Sequence, residues 1–329
     1  MKLSIIVSSY KQSKGLKWFL KDLEKQTSQS FEVILFIDRP SNSDLTLVDQ
    51  YSQQFGQQIK WFINSSSKGN HSNWLKSIDL VSGDYIIFLT PETYLKNDFV
   101  EKFEYYSKFN TDIIEYKPEL KGVVKWTPKA RLHANTTLEL KNYKAIIAYS
   151  FPFIFNKFIK YEVIKNVSDF TSSKFDNTRF WVHFVYKVLA NIKNYTFVDE
   201  VLATDYVKNL SSFNINLYIN EWKEILDLYQ KNHKNYNMEI EYAKMFFFHI
   251  FLSGFIGMAC YSKIKSILGL QSKNKKRLEK LKNTMKIIRG PDFKNFVVTN
   301  KYLLASNEES FFLINFDTAT KWHLIFSKF

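Results

Sequence analysis

Three groups of polar residues follow apolar runs in the N-terminal third of the chain, where their side chains could bind a ligand or do chemistry. The groups are Ser8, Ser9 and Tyr10; Asp38; and Thr90, Pro91 and Glu92. In open α/β sheets, ligands bind at the carboxyl ends of the strands. A carboxylate after the second strand can accept hydrogen bonds from a base or a ribose, and an acid after the fourth can hold a divalent metal against a diphosphate. The order of the groups along the chain, more than any single group, favours this interpretation.

Both acids also have a purely structural interpretation. Asp38 lies two residues before Pro40, which is typical of a turn in which an Asp side chain bonds to the nearby backbone. Glu92 follows Pro91, where an acid stabilises the N-terminus of a helix. The sequence leaves both alternatives open.

The elements that must position these groups have the pattern of alternating strands and helices. The stretch 84–89 lies between a Gly and a Pro and is mostly β-branched or aromatic, which is typical of a central strand of a parallel sheet. Helical spacing of apolar residues separates the early strands and recurs over 154–167 and 181–192. The predicted strands are 3–7, 31–37, 59–63, 84–89, 111–116 and 196–199. This alternation predicts an α/β fold with a mostly parallel sheet and helices on both faces.

Beyond about residue 212 the pattern changes to helices alone, so we predict two regions, 1–215 and 216–329. The run Met245–Tyr261 is apolar almost all round but shorter than the roughly 20 residues of a spanning helix. A buried helix of a C-terminal bundle is favoured over a segment that lies on a membrane surface, and a span is the least favoured. The basic stretch 263–282 keeps contact with an anionic membrane face open.

The composition bounds the function further. The 329 residues carry a formal net charge of +14, which favours anionic partners such as nucleotides, nucleic acid or acidic membranes, or a lysine-rich solvated surface. The lone Cys260 excludes an internal disulfide and a cysteine zinc site and suits a reducing compartment. The first ten residues lack the pattern of a signal peptide. P-loop, GxGxxG and GxSxG motifs are absent, and the aromatic residues fall mostly on apolar faces, which argues against nucleic acid.

An ordered series of segments resembles a known family. They are SIIVSSY (4–10), LxxFLxxLExQT (16–27), FEVILFID (31–38), the Lys68-Gly69 loop, GDYIIFL (83–89), 152–166 and 198–212. Together they resemble family 2 glycosyltransferases with a GT-A fold, over roughly residues 1–215. The resemblance implies transfer of a sugar from a nucleotide diphosphate donor, such as a UDP-hexose, to an acceptor hydroxyl, with inversion. It also implies that the loop at Ser8, Ser9 and Tyr10 and the carboxylate of Asp38 hold the uracil or ribose.

The chain departs from this family's pattern where the family has its acids. Thr90, Pro91, Glu92 and Thr93 stand where the family has Asp-x-Asp-Asp, which grips the ribose and Mg²⁺ or Mn²⁺. Phe180-Trp181 stands where the family commonly has the Glu-Asp that supplies the catalytic base. The resemblance therefore leaves Thr90 and Glu92 for the donor, with Glu92 as the remaining metal ligand. Loss of a base alone typically costs about 10² to 10⁴ in rate.

Other residues could substitute for the missing groups. Lys68, Lys129, Arg131 and His133 could stabilise a diphosphate without a metal, although a solvated loop is favoured for this cluster. Asp176 is the carboxylate nearest to the missing base, although a turn or cap role is favoured for it. Two hypotheses follow: a glycosyltransferase that acts on a lipid or surface glycan at the cytoplasmic face of the inner membrane, or a domain that has lost catalysis and serves in binding or assembly.

Overall fold

The computed structural model describes residues 2–167, 178–209, 213–264, 276, 279–280, 282–283, 293–304, 309–310, 313 and 319–329. The strands in these residues are β1 (Leu3–Tyr10), β2 (Phe31–Asp38), β3 (Ile59–Asn64), β4 (Tyr85–Leu89), β5 (Thr93–Leu95), β6 (Ile113–Tyr116), β7 (Glu119–Gly122), β8 (Thr137–Glu139), β9 (Lys157–Lys160), β10 (Asn194–Val198) and β11 (Ala203–Val207).

The helices in the described residues fall into two groups along the chain. Those that alternate with the strands are α1 (Ser13–Glu24), α2 (Asn42–Phe55), α3 (Asn70–Ser77), α4 (Phe99–Ser107), α5 (Ala145–Tyr149), α6 (Tyr161–Asn166) and α7 (Val182–Leu189). Those that follow are α8 (Ile215–Asn232), α9 (Asn237–Met245), the π-helix Phe246–Leu252, α10 (Ser253–Ile264), α11 (Phe293–Thr299), α12 (Lys301–Leu304) and the 3₁₀ helix Ala319–Ser327.

Eight strands form the central sheet in the order β3-β2-β1-β4-β9-β6-β10-β8. The first four of these strands are mutually parallel, and β6 is parallel to β10. In contrast, β9 runs antiparallel between β4 and β6, and β8 is an antiparallel edge strand. A second sheet has the order β5-β11-β7. The predicted α/β architecture is confirmed, and all five residues of β4 are buried, as expected of a central strand.

The helix predicted over 154–167 is wrong in its first half. Lys157–Lys160 is the strand β9, and only Tyr161–Asn166 is helical. The ammonium group of Lys157 is fully buried and lies 2.9 Å from the carboxylate of Glu115 on β6. The apolar residues of this segment satisfy both helical and strand spacing, and the strand forms because it hydrogen-bonds β4 on one side and β6 on the other.

The C-terminal helices pack onto the sheet region, and the buried residues of both parts form one continuous core. The helical stretch Lys234–Ala259 is long and apolar enough to cross a membrane by length and composition, but 89% of its most apolar window is buried. Its interior position agrees with the predicted buried helix. The boundary at residue 215 stays a prediction, and the basic side chains of 263–282 lie largely outside the described residues.

Candidate functional site

A cavity of about 330 Å³ lies at the carboxyl ends of β1 and β4. Three residues predicted from strand ends line it: Tyr10, Thr90 and Glu92. The other lining residues are Gln12, Ser67, Gly69, Asn70, Thr178, Arg179, Lys208 and Asn209. Parallel pairing of β1 with β4 brings the two strand ends together, because the carboxyl ends of parallel strands meet at one edge of the sheet.

Asp38 lies beneath this cavity and holds its glycine loop in place. One carboxylate oxygen accepts hydrogen bonds from the backbone N–H groups of Lys68 (2.7 Å) and Gly69 (3.0 Å). The other oxygen accepts from the side-chain amides of Asn64 (2.8 Å) and Asn73 (3.0 Å). Asp38 is only 1% exposed, so its carboxylate is fully used by the protein. The nucleotide-binding role expected of Asp38 stays a prediction; in this structure its carboxylate positions the glycine loop.

The first strand contributes both to this support and to the cavity wall. Ser8 and Ser9 are each 2% exposed, and the Ser8 hydroxyl accepts a hydrogen bond of 3.0 Å from the side-chain amide of Asn73. Tyr10, in contrast, is 37% exposed and lines the cavity. Of the predicted group at the end of β1, Tyr10 lines the cavity, and the ligand contacts of Ser8 and Ser9 stay a prediction.

Glu92 is held by two cations that sequence reasoning missed. Its Oε2 accepts a hydrogen bond of 2.8 Å from Nη1 of Arg179, and its Oε1 lies 3.1 Å from Nζ of Lys208. Arg179 also donates from Nε and Nη2 to the two oxygens of Asp205, at 2.9 and 3.0 Å. A further bond of 2.9 Å runs from Nη2 to the backbone carbonyl of Tyr206. Burial of Arg179 works against its charge, but the carboxylates of Asp205 and Glu92 raise its pKa above the usual value.

This arrangement does not fit a divalent metal at Glu92. All four carboxylate oxygens of Glu92 and Asp205 face a protein cation, whereas Mg²⁺ and Mn²⁺ need carboxylate or other oxygens as ligands. Within the described part of the chain, no group of three or more His, Cys, Asp or Glu residues could hold a metal ion. At Glu92, where a metal ligand is expected from the sequence, the structure shows an ion-pair network.

A second layer of buried groups fixes Thr178 and Arg179. The Thr178 hydroxyl donates to Glu221 at 3.2 Å, and the Thr178 carbonyl accepts a hydrogen bond of 2.8 Å from Nε2 of His71. Burial raises the pKa of Glu221 to about 8 and lowers that of His71 to about 3. Both groups are consequently uncharged at neutral pH. His71 also stacks on Trp181, with ring centroids 5.0 Å apart.

Several predicted residues lie elsewhere. Arg131 is buried, bonds Glu309 at 2.7 and 3.1 Å and lies 3.6 Å from the ring centroid of Phe246, in the wall of a different cavity that Lys129 also lines. His133 is exposed on the loop, and Lys68 contributes its backbone N–H while its side chain points outward, exposed. The structure thus places Lys129 and Arg131 at one cavity and Lys68 in the loop that borders the candidate site, so the four residues do not form a single cluster. The donor-binding role of Lys68 stays a prediction. Asp176 lies outside the described residues.

Phe180 and Trp181 are each 1% exposed and belong to the aromatic core. They stand where the family commonly has Glu-Asp, and neither side chain can take up a proton. The residues that reach the cavity are their neighbours, Thr178 and Arg179. The second missed cation, Lys208, follows β11, in a segment that sequence reasoning had matched only as a closing strand and loop. Arg179 directly precedes Phe180-Trp181, where the acids are missing, and that position is the signal that could have identified it; Lys208 has no such signal in the sequence.

The comparisons with known proteins agree with this geometry. A model of glycosyl transferase family 2 matches residues 4–169, about half of the chain. Over 127 residues the chain is 27% identical to the poly(ribitol-phosphate) beta-glucosyltransferase of Bacillus spizizenii, covering 37% of this chain and 20% of that protein. Over 89 residues it is 32% identical to the GalNAc(5)-diNAcBac-PP-undecaprenol beta-1,3-glucosyltransferase of Campylobacter jejuni, covering 27% and 28%. The alignments thus span less than a third of either relative.

Solved structures extend the likeness to the whole fold. Residues 1–349 of S. aureus TarS, in complex with UDP-GlcNAc, superpose with a TM-score of 0.63 at 17% identity, covering 98% of this chain and 91% of that one. Against a longer TarS structure, the match spans 100% of this chain but 53% of TarS. The mannosyltransferase PcManGT of Pyrobaculum calidifontis, in complex with GDP-Man and Mn²⁺, gives 0.52 at 9% identity, covering 94% and 87%. The fold is of the GT-A type, and the chain belongs to glycosyltransferase family 2.

Proposed function

We propose that the protein transfers a sugar from a UDP-hexose to a hydroxyl group of a lipid-linked or surface glycan, with inversion at the anomeric carbon. The observation that carries this proposal is the cavity itself. It lies at the carboxyl ends of β1 and β4, and Tyr10, Thr90 and Glu92 line it beside two cations. TarS, which shares the fold, has been solved with UDP-GlcNAc. The two curated relatives are named for action on poly(ribitol-phosphate) and on an undecaprenol-linked glycan.

In the proposed reaction, the bond from the sugar C1 to the diphosphate oxygen breaks, and UDP leaves with the electron pair. The acceptor oxygen forms a new bond to C1 from the opposite face and gives up its proton to a base. Glu92 is the one acid among the described lining residues, and it is already paired with Arg179 and Lys208. We therefore keep Asp176 as the proposed base.

The test combines a UDP-release assay with a panel of UDP-hexoses and polyol-phosphate or polyprenol-linked glycan acceptors. Acceptor-dependent UDP release, with a product of inverted anomeric configuration by NMR, is the expected result. Asp176→Asn should lower kcat about 10²- to 10⁴-fold and leave UDP affinity unchanged. Asp199→Asn is the matched control, because Asp199 is 43% exposed and pairs with Lys117 outside the cavity. An unaltered kcat for Asp176→Asn would remove Asp176 from the proposal.

The alternative function is a glycosyltransferase-like domain that binds a nucleotide or glycan without turnover. The observation that favours it is the pairing of Glu92, which leaves no unpaired carboxylate among the described lining residues. This alternative predicts UDP binding by calorimetry and no UDP release with any acceptor. Release that depends on an acceptor would exclude it.

We also propose that the protein works in the cytoplasm, on the inner face of the membrane that carries its acceptor. The net charge of +14 supports attraction to anionic lipid headgroups. Flotation with vesicles of anionic phospholipid should carry the protein to the top of a gradient at low salt, and vesicles of neutral phosphatidylcholine should not. Equal flotation with both, or with neither, would contradict the proposed attachment.

A further inference from the structure

We infer that the diphosphate of the donor is bound without a metal ion, by Lys208 at the rim of the cavity, while Arg179 acts as a fixed cation beside Glu92. This inference rests on the proposed function, because it assumes that a nucleoside diphosphate enters this cavity. It goes further by assigning residues to the charge that a metal would otherwise supply.

Arg179 is fixed in place by several hydrogen bonds. Its side chain is 11% exposed, and three of its nitrogens bind Glu92, Asp205 and the carbonyl of Tyr206. The contact with Asp205 is bidentate, which matches the planar fork of a guanidinium. A divalent ion at Glu92 would have to displace this group from two carboxylates at once. Arg179 therefore supplies the positive charge next to Glu92 that a metal ion would otherwise supply, and its contacts with both carboxylates hold it there.

The two cations, Arg179 and Lys208, differ in how tightly their side chains are held. The side chain of Lys208 is 48% exposed and forms an ion pair with Oε1 of Glu92. A lysine is a point charge on a flexible stem, so its ammonium group can turn from Glu92 to a phosphate oxygen. Glu92 stays paired when this happens, because Arg179 still donates to its Oε2. In the donor complex both Glu92 and Asp205 then keep their hydrogen bonds to Arg179.

The net charge of this ion-pair network also bears on how it receives a diphosphate. Glu92 and Asp205 carry two negative charges, and Arg179 and Lys208 carry two positive charges, so the network is neutral before a ligand binds. Lys11 adds a further cation next to Tyr10, which lines the cavity; its Nζ lies 5.2 Å from the ring centroid of Tyr10. An anionic diphosphate thus meets a neutral network with the half-exposed Lys208 at its edge. Unpaired carboxylates at an empty metal site would instead repel the diphosphate until a metal ion bound.

The experiment is isothermal titration calorimetry of the full chain with UDP, in EDTA and in MnCl₂, together with electron paramagnetic resonance of free Mn²⁺. We expect the Kd for UDP to agree within about twofold between the two conditions, and free Mn²⁺ to fall no further with the protein–UDP complex than with the same amount of UDP alone. Binding of UDP only with Mn²⁺, with loss of the free Mn²⁺ signal, would overturn the inference and leave the proposed function standing. Absence of UDP binding in both conditions would overturn both.

Two variants sharpen the test. Lys208→Gln should weaken UDP binding about tenfold, the effect of losing one charge-assisted hydrogen bond. Lys121→Gln is its control, because Lys121 is 50% exposed and pairs with Glu119 in the same small sheet, and it should change the Kd less than twofold. Glu92→Gln removes a negative charge next to Lys208, so UDP binding should be equal or tighter. A Glu92→Gln protein that loses UDP binding would show that Glu92 holds the ligand through a metal, against the inference.

Discussion

Nη1 of Arg179 donates a hydrogen bond of 2.8 Å to Oε2 of Glu92, across 87 positions of the chain. The one acid that remains at the carboxyl end of β4 is therefore already paired with a cation when it reaches the cavity. Asp205 completes the arrangement by accepting two further bonds from the same guanidinium. This relationship determines how Glu92 behaves towards metals, ligands and mutation.

Removal of Arg179 should destabilise the protein strongly. Arg179→Met leaves Asp205, which is 3% exposed, and Glu92 without their buried counter-ion. Breaking a buried pair in this way typically costs about 3–5 kcal/mol in the free energy of unfolding. Urea unfolding followed by circular dichroism measures it. Lys102→Met, which breaks an exposed pair with Glu200, is the control and should cost less than about 1 kcal/mol. A cost for Arg179→Met no larger than that of the control would show that the network contributes nothing.

Asp38→Asn should loosen the loop that carries Lys68 and Gly69. Each oxygen of Asp38 accepts two hydrogen bonds, so an amide in its place turns N–H donors towards N–H donors. We expect a loss of about 1–3 kcal/mol in stability. The affinity for UDP should also fall, because Gly69 and Asn70 line the cavity. The exposed Asp49→Asn on α2 is the matched control. Unchanged UDP affinity and stability in Asp38→Asn would contradict the positioning role.

Glu221 should make the stability of the protein depend on pH. Its pKa is about 8 in the folded protein and near 4.5 in the unfolded chain, so folding favours the protonated form. This contribution is complete below pH 4.5 and is lost as the pH rises through 8. Glu221→Gln keeps an acceptor for Thr178 and for the backbone N–H of His183 but does not titrate. The variant should therefore gain Tm relative to the wild type between pH 5 and 8.5, by about 2 °C or more.

Comparison of the two proteins at each pH cancels other titrating groups, such as His71. A difference in Tm between the two proteins that stays constant from pH 5 to 8.5 would show that protonation of Glu221 is not linked to folding.

Gly254 and Gly257 should be required for packing of the C-terminal 3₁₀ helix. A Cβ at Gly254 would lie 2.6 Å from the ring of Phe326, and one at Gly257 would lie 2.6 Å from Trp322. Gly257→Ala should cost about 1–3 kcal/mol, the usual effect of overpacking a core. Thermal unfolding measures it, with Val298→Ala, at a position 72% exposed, as the control. Equal stability of the two variants would show that the contact adjusts without cost.

The sequence predicted the elements whose evidence is local and failed where partners are distant. The apolar runs of β1, β2 and β4 identify buried strands, and their parallel pairing brings Tyr10, Thr90 and Glu92 to one cavity. The ion pair between Glu92 and Arg179 leaves no local pattern, because nothing in the spacing of either residue indicates the other.

Two errors have the same physical origin. Arg131 was a candidate for the donor diphosphate because its neighbours are basic, yet its partner Glu309 is 178 positions away. The segment around Lys157 has apolar residues that suit a helix and a strand equally. It forms a strand because it pairs with β4 on one side and β6 on the other. Long-range pairing decided both outcomes, and single-sequence periodicity carries no information about it.

The most direct test of the central claim is a crystal structure of the full chain with UDP in the presence of EDTA. We predict UDP in the cavity at the ends of β1 and β4, with a β-phosphate oxygen within hydrogen-bond distance of Nζ of Lys208 and with Arg179 still bound to Glu92. UDP in the other cavity, which Trp126 and Arg131 line, would contradict the claim.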